Sequence, residues 1–455
     1  MSIPGLLAGF AVPSIIAMVI SSLYNIVDQI FIGQSVGYLG NAATNVAFPL
    51  TTVCMAITLT IAVGTAARFS LFLGQKKEHE AAGVVGNGLC MMVLFGALYL
   101  AVILLFNKQL LMAFGATDAI LDYAIQYTGI TAFGMPFLII MNGMSNIARA
   151  DGSPLYSMTS MIIGAVINTI LDPILIFGFD MGVAGAAIAT VVGQVISCIY
   201  ALLYLKRLRR ITLHKEDIRL VPKQMADTAA MGMSNGLTQV SITLVQVVIN
   251  RSLVHYGALS QYGADIPLAA SGIVMKVNAI VLAVIIGMIQ GMQPIIGYNY
   301  GAKKYDRVKQ TYNIAVLCEL VITGVAFVVF QLFPAQVLSL FGSGENEELY
   351  YEFGIMFMKT FLLMLPLAGV QMISSNMFSA IGKPLKGTIL SLTRQVFFLI
   401  PLMLILPLFM GINGVMTAAP VADSLSFVTV MIFVIFEMRS MTKLKGKIKG
   451  NNEQR

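Results

Sequence analysis

Apolar residues run through this chain in blocks of about 20 or more, separated by short polar segments. A helix rising 1.5 Å per residue needs about 20 such residues to cross some 30 Å of hydrocarbon. The pattern predicts twelve spans, the first six at 9–33, 44–72, 83–106, 121–146, 155–178 and 183–205. The second six are predicted at 226–255, 267–297, 308–332, 350–375, 386–409 and 413–437. Helix breakers stand between them, as in Asp151-Gly152-Ser153-Pro154, Asp180-Met181-Gly182, Gly382-Lys383-Pro384 and Gly411. The alternating segments of about 10 residues that a membrane barrel requires are not visible. The expected fold is an all-α membrane protein with twelve transmembrane helices.

Composition agrees. Of 455 residues, 58% are hydrophobic and only 11% charged, with a mean hydropathy of +0.85, too little charge to clothe a soluble protein of this size. The opening SIPGLLAGFAVPS has no basic leader and no cleavage motif, so the first span is expected to be retained. Cys54, Cys90, Cys198 and Cys318 all lie in apolar runs and read as packing residues. The three histidines show no metal-ligand spacing.

The net charge of +7 would suit nucleic acid if it were scattered, but 23 of the 28 Lys and Arg follow even-numbered spans. That asymmetry predicts both termini in the cytoplasm and leaves no nucleic-acid partner to explain.

The two halves repeat. GQKK at 74–77 recurs as GAKK at 301–304, and LMAFGA at 111–116 as LSLFGS at 338–343. DGSP at 151–154 recurs as IGKP at 381–384, and MGVAGAAIAT at 181–190 as MGINGVMTAA at 410–419. Four matches in order at nearly constant offset indicate tandem duplication. Six spans per half give both repeats one orientation, hence two pseudo-symmetric six-helix bundles about a midline cleft. The boundaries are 1–205 for the first bundle, 206–225 for a cytoplasmic linker, 226–437 for the second bundle and 438–455 for a basic tail. This is a transporter architecture. Without a G-x-x-x-x-G-K-[ST] phosphate loop, the expected driving force is an ion gradient.

Ionisable residues inside spans mark function by default. Asp28 lies about 19 residues into span 1, and Asp172 about 17 into span 5, which also runs outward, so the two share a depth. Asn168 is one turn from Asp172 on the same face. Thr190 enters from the outer end of span 6. Two carboxylates, an amide oxygen and a hydroxyl form a hard-oxygen set for Na+, and would equally suit a shared proton. The bland alternatives are a turn residue before Pro173 and interhelical hydrogen bonds. Glu319 and Asp423 are further intramembrane acids, with Arg251, Lys276 and Arg394 as possible partners. Arg394 is close enough to the inner face to reach water by extending along its helix. Span 7 offers Gln239, Gln246 and Asn250, and span 10 Gln371 and Asn376, with no acid in either.

Across nearly its whole length the chain resembles the multidrug and toxic compound extrusion (MATE) transporters, specifically their prokaryotic DinF-like branch. The resemblance rests on Pro13 with YNIVDQIFIG, IARADGSP, NTILDPILI, VINRSLVHYG and SLTRQVFFLIPL. It implies a secondary exporter of amphipathic, often cationic compounds, coupled to H+ or Na+, and not an enzyme. By the same resemblance Asp28, Asn168, Asp172 and Thr190 match the family's cation site, serving as metal ligands only if Na+ is the coupling ion. Pro13 matches the position where span 1 bends, and Tyr24, Asn142 and Met161 match the drug pocket. The implied setting is a prokaryotic cytoplasmic membrane, with small organic substrates and membrane lipids as partners, no cofactor beyond H+ or Na+, and a monomer. A lipid-linked oligosaccharide flippase of the same broader superfamily is the alternative.

Overall fold

The computed structural model describes residues 2–36, 38–114, 116, 118–263, 265–339 and 347–453. Long apolar segments become long helices because in hydrocarbon every backbone group must find its partner within the chain, and a helix does this locally. The first lobe holds α1 (Ile3–Val36), α2 (Tyr38–Gly74), α3 (Glu78–Ala113), α4 (Asp118–Ala150), α5 (Pro154–Pro173) and α6 (Gly182–Leu202). The second holds α7 (Pro222–Ala258), α8 (Asp265–Gly301), α9 (Tyr305–Leu332), α10 (Pro334–Ser339), α11 (Glu347–Phe361), α12 (Leu365–Ala380), α13 (Pro384–Leu392), α14 (Ile400–Met410) and α15 (Ile412–Glu453).

Among the described residues eleven helical segments are long and apolar enough to cross a bilayer, or twelve with α11 and α12 counted as one span bent by 44°. The predicted spans all fall on these helices. Span 10 is the bent pair, and span 11 is α13 and α14 joined by a π-helical stretch, Thr393–Leu399. A second π-helical stretch, Ile174–Gly178, follows α5.

The repeat reappears as turn geometry. In GQKK, Lys76 takes a φ of 61° and the Lys77 N–H donates back to Phe72 O. In GAKK, Lys303 takes 57° and the Lys304 N–H donates to Asn299 O. Gly152 and Gly382 likewise occupy the left-handed region at 92° and 79°, each followed by a residue whose N–H reaches back five positions to close the helix end. The pairing of LMAFGA with LSLFGS lies partly outside the described residues.

Each lobe has its own core, built around Phe69, Met92, Ile139 and Met144 in the first and around Phe353, Phe357 and Met403 in the second. Helix α1 belongs to both. Leu7 and Ala11 join a second-lobe cluster with Met292, Ile296 and Phe378, while its other end packs on α5 and α6.

The lobes meet where α2, α4, α6 and α8 end, the basic end of the molecule. Close approach there is possible because glycines face backbone. A Cβ on Gly291 would stand 2.5 Å from Ala11 Cα, and one on Gly287 2.5 Å from Ile15 Cα, so α8 lies directly on α1 around Pro13. On the pseudo-symmetric side, a Cβ on Gly232 of α7 would meet Thr60 O of α2 at 1.8 Å, and one on Gly64 would meet Thr228 O at 2.0 Å. Arg68 fastens this crossing, donating to Gln224 O at 2.8 Å and Thr228 Oγ1 at 3.0 Å beside Asp227.

Within the expected 206–225 linker, α7 begins at Pro222. Asp151 accepts from the Tyr204 hydroxyl (2.8 Å) and from the Arg209 (2.7 Å) and Arg210 (3.1 Å) N–H groups, and Asn87 donates to Arg219 O, so 206–221 lies against the first lobe. Burial pushes the Asp151 carboxyl above the ordinary aspartate range, opposed by those hydrogen bonds. In the expected basic tail, 438–455, α15 continues to Glu453, with Lys445 paired to Asp306 and, above it, Glu437 paired to Lys383.

Two outcomes follow from this packing. Overpacking a close crossing costs about 1–3 kcal/mol, and 1.4 kcal/mol is a factor of ten. Gly291→Leu is therefore expected to speed maleimide labelling of a cysteine placed at the buried Ala11 about tenfold or more, and unchanged labelling would show that the crossing does not hold the lobes together. Tyr204→Phe removes bonds to both Asp151 and Ser153 and should lower stability by about 1–3 kcal/mol, seen as a reduced thermal midpoint of the detergent-purified protein.

Candidate functional site

Helices α1, α5 and α6 converge within the first lobe, and their polar side chains point at one another. The α5–α6 contact is set by small residues. A Cβ on Gly193 would lie 2.8 Å from Gly164 O, and that spacing brings the next turn of each helix into hydrogen-bond range. There Asn168 Nδ2 donates to Thr190 Oγ1 at 3.2 Å and to Asp172 Oδ1 at 3.3 Å. The second bond joins residues one turn apart on the same helix face. Helix α1 supplies Asp28, whose carboxyl lies within hydrogen-bonding reach of the Asp172 carboxyl.

Asp28, Asn168 and Asp172 are all buried, at 8%, 3% and 0% exposure. Asp28 Oδ1, Asn168 Oδ1 and Asp172 Oδ2 have no hydrogen-bond donor among the described residues. Three oxygen acceptors in a buried space, two of them on carboxyl groups, form an electron-rich cage. Two adjacent buried carboxylates cannot both stay ionised without a cation between or beside them. A proton held between the carboxyls, or Na+ held by these oxygens and Thr190 Oγ1, would meet that need.

The four residues of the expected cation set therefore come together. Tyr24 stands one turn before Asp28, and its phenol feels both aspartates. Pro13 lies within the unbroken α1, buried between the two residues that touch Gly287 and Gly291. Asn142 is not brought into this group. Its Nδ2 donates to Leu138 O of its own helix, and its carbonyl accepts from Asn146, toward the basic end. Met161 packs against the first-lobe core two turns below Asn168.

Sequence reading missed three neighbours. The Tyr127 phenol of α4 lies close to Asp28, Asp172 and Tyr24, and its ring packs on Ile32, Ile176 and Ala186. Gln194 and Ser197 continue the polar stripe of Thr190 along α6, with Gln194 Oε1 and Ser197 Oγ also lacking partners. Depth matching would have found Tyr127, which is about nine residues into an inward-running helix. The stripe at i, i+4 and i+7 would have found the other two.

The second lobe differs. Glu319 is buried with neither oxygen partnered, and faces Gly369 of α12. Asp423 pairs with Arg394 at 2.5 Å, while Arg251 and Lys276 are exposed. Arg394 is thus tied inside the lobe by an ion pair and is not simply extended toward water. A cavity of about 300 Å³ opens there, walled mainly by α7, α8, α12 and the π-helical stretch Thr393–Leu399, with Leu59 and Val63 of α2 at one side. Gln239, Gln246, Gln371 and Asn376 all line it.

A family model described as MatE matches residues 13–174 and 235–405, most of both halves. The chain is similar to the multidrug export protein MepA of Staphylococcus aureus (strain bovine RF122 / ET3-1), 25% identical over 426 residues that cover 93% of this chain and 92% of that protein. It superposes on the MATE multidrug transporter DinF-BH, whose structure is that of a complex, with a TM-score of 0.87 and 33% identity over 95% of this chain and 96% of that one. An outward-facing multidrug resistance MATE transporter of the MOP superfamily shares the fold, with a TM-score of 0.90 and 22% identity over 97% of each chain. The first matched segment contains Asp28, Asn168 and Asp172, and Thr190 falls between the two. By sequence and fold together, the chain belongs to the MatE family.

Proposed function

We propose that the protein is a secondary exporter of amphipathic organic compounds, in which cation binding between α1 and α5 drives substrate release. The observation that carries this is the buried cage of Asp28, Asn168 and Asp172, with three oxygens that no described donor serves. Multidrug export by the related MepA proteins and multidrug transport by DinF-BH support the substrate class. The coupling ion is H+ or Na+, and the basic end faces the cytoplasm, in keeping with its crowd of lysines and arginines.

Helix α1 links the cage to the lobes. Near its start it is locked onto α8, and near its end it forms a wall of the cage. Pro13 has no N–H, so the Gly9 carbonyl lacks its usual helical partner and bending there breaks no hydrogen bond. When a cation neutralises Asp28 and Asp172, their mutual repulsion disappears and α1 can repack toward α5. Because the start of α1 stays with the second lobe, repacking its far end changes the geometry between lobes. Tyr24 and Tyr127, beside the aspartates, place an aromatic surface where a cationic substrate would compete with the ion.

The test uses purified protein in liposomes preloaded with ethidium, with H+ and Na+ gradients imposed separately. One gradient should drive efflux in the wild type. Asp28→Asn should reduce that efflux at least about a hundredfold with normal insertion and yield, since an intramembrane acid on an ion path has no substitute. Efflux by Asp28→Asn at the wild-type rate would sink the coupling role.

A further inference from the structure

The second-lobe cavity has a different chemistry from the first-lobe cage. No carboxylate lines it. Its one ionic group is Arg394, in the π-helical stretch between α13 and α14. Such stretches widen the helix by one residue per turn and recur at functional sites. Here the widening presents Arg394 and Gln395, neighbours in sequence, to the same cavity.

Arg394 is held in place from behind. Asp423 of α15, 2% exposed, accepts from its Nε at 2.5 Å. That is the only bond the guanidinium makes among the described residues. Neither Nη atom has a hydrogen-bond partner among the described residues, and Arg394 lines the cavity. A guanidinium with one edge fixed on a carboxylate presents its remaining donors as a rigid fork, the geometry that matches a second carboxylate. The rest of the lining is amide, hydroxyl and apolar, including Ser234, Thr238, Phe361, Ile289 and Leu399. The volume, about 300 Å³, reaches the lower range of small-molecule pockets.

We propose that this cavity is a second ligand site, for amphiphiles that bear a carboxylate, anchored by Arg394. The carboxylate lies across the two Nη atoms, and the apolar body fills the rest of the space. Asp423 is a positioning residue. It keeps the guanidinium extended into the cavity and offsets part of its charge, so an anion is held by directed hydrogen bonds without a large net field. A permanent cation finds no counter-charge here. The proposal extends the export reading to a carboxylate-bearing substrate class, but its test requires no transport.

The full chain, purified in detergent with no ion gradient, would be titrated with norfloxacin, which carries both a carboxylate and an amine, and with its methyl ester. A bidentate charge-assisted pair predicts that the acid binds about tenfold or more tightly than the ester. Arg394→Gln should bring the acid down to the affinity of the ester. If that variant does not fold, Arg394→Lys retains the charge facing Asp423 but loses the fork, and should also cost about tenfold for the acid. Equal binding of acid and ester by the wild type, or wild-type affinity for the acid in either variant, would overturn the proposal. A protein that binds as expected yet drives no efflux would count against the export reading alone.

Discussion

Charge buried in hydrocarbon must be answered within the protein, and in this structure the two lobes answer it in opposite ways. In the first lobe Asp28 and Asp172 face each other with no base beside them among the described residues, and the proposed function assigns their neutralisation to a mobile cation. In the second, Asp423 meets a permanent base, Arg394. An acid paired to a fixed base is a static structure. An acid paired to nothing fixed would depend on the ion supply outside, and under the proposed function that dependence lets a gradient act on the fold.

The packing of α1 converts this local dependence into a property of the whole molecule. Glycines on α8 and α7 let the lobes touch backbone to backbone at the basic end, through two crossings related by the internal repeat. Of the two equivalent helices, only α1 brings a carboxylate to its far half. Its counterpart α7 has Gln239, Gln246 and Asn250 along its length, polar groups that hydrogen-bond without titrating. Duplication therefore supplied a symmetric frame, and the polar residues placed on it broke the symmetry. Glu319 stands apart from both schemes, buried against Gly369 with no hydrogen-bond partner to its carboxyl oxygens among the described residues, and the glycine is what leaves room for its carboxyl.

Much of this was legible in the residues. Spans, repeat and turn positions follow from the apolar pattern and from glycines that must adopt positive φ, both strictly local constraints. The Asp28, Asn168, Asp172 and Thr190 group followed from depth alone, because a fixed rise per residue converts position along a helix into position across the bilayer. Tyr127 shares that depth on α4 but is not a carboxyl or an amide, the residue types the depth match considered, while Asn142 lies at another depth and does not join the group. The bend between α11 and α12 and the π-helical stretches were not legible, since they answer to neighbouring helices and not to their own sequence.

The π-helical stretches matter most for what the sequence could not reveal. One follows Asp172 directly and the other contains Arg394, so each lobe departs from regular helix beside its ionic group. A wide turn shifts the side chains after it by roughly 100° relative to those before it, enough to aim a residue into a cavity that a regular helix would turn away from. Read on an ideal wheel, Arg394 extends toward the membrane surface. In the structure it points inward to Asp423 and to a cavity lined by amides. The orientation of Arg394 in the second lobe is therefore set by one extra residue in a turn, and the same device follows α5 beside the buried Asp172.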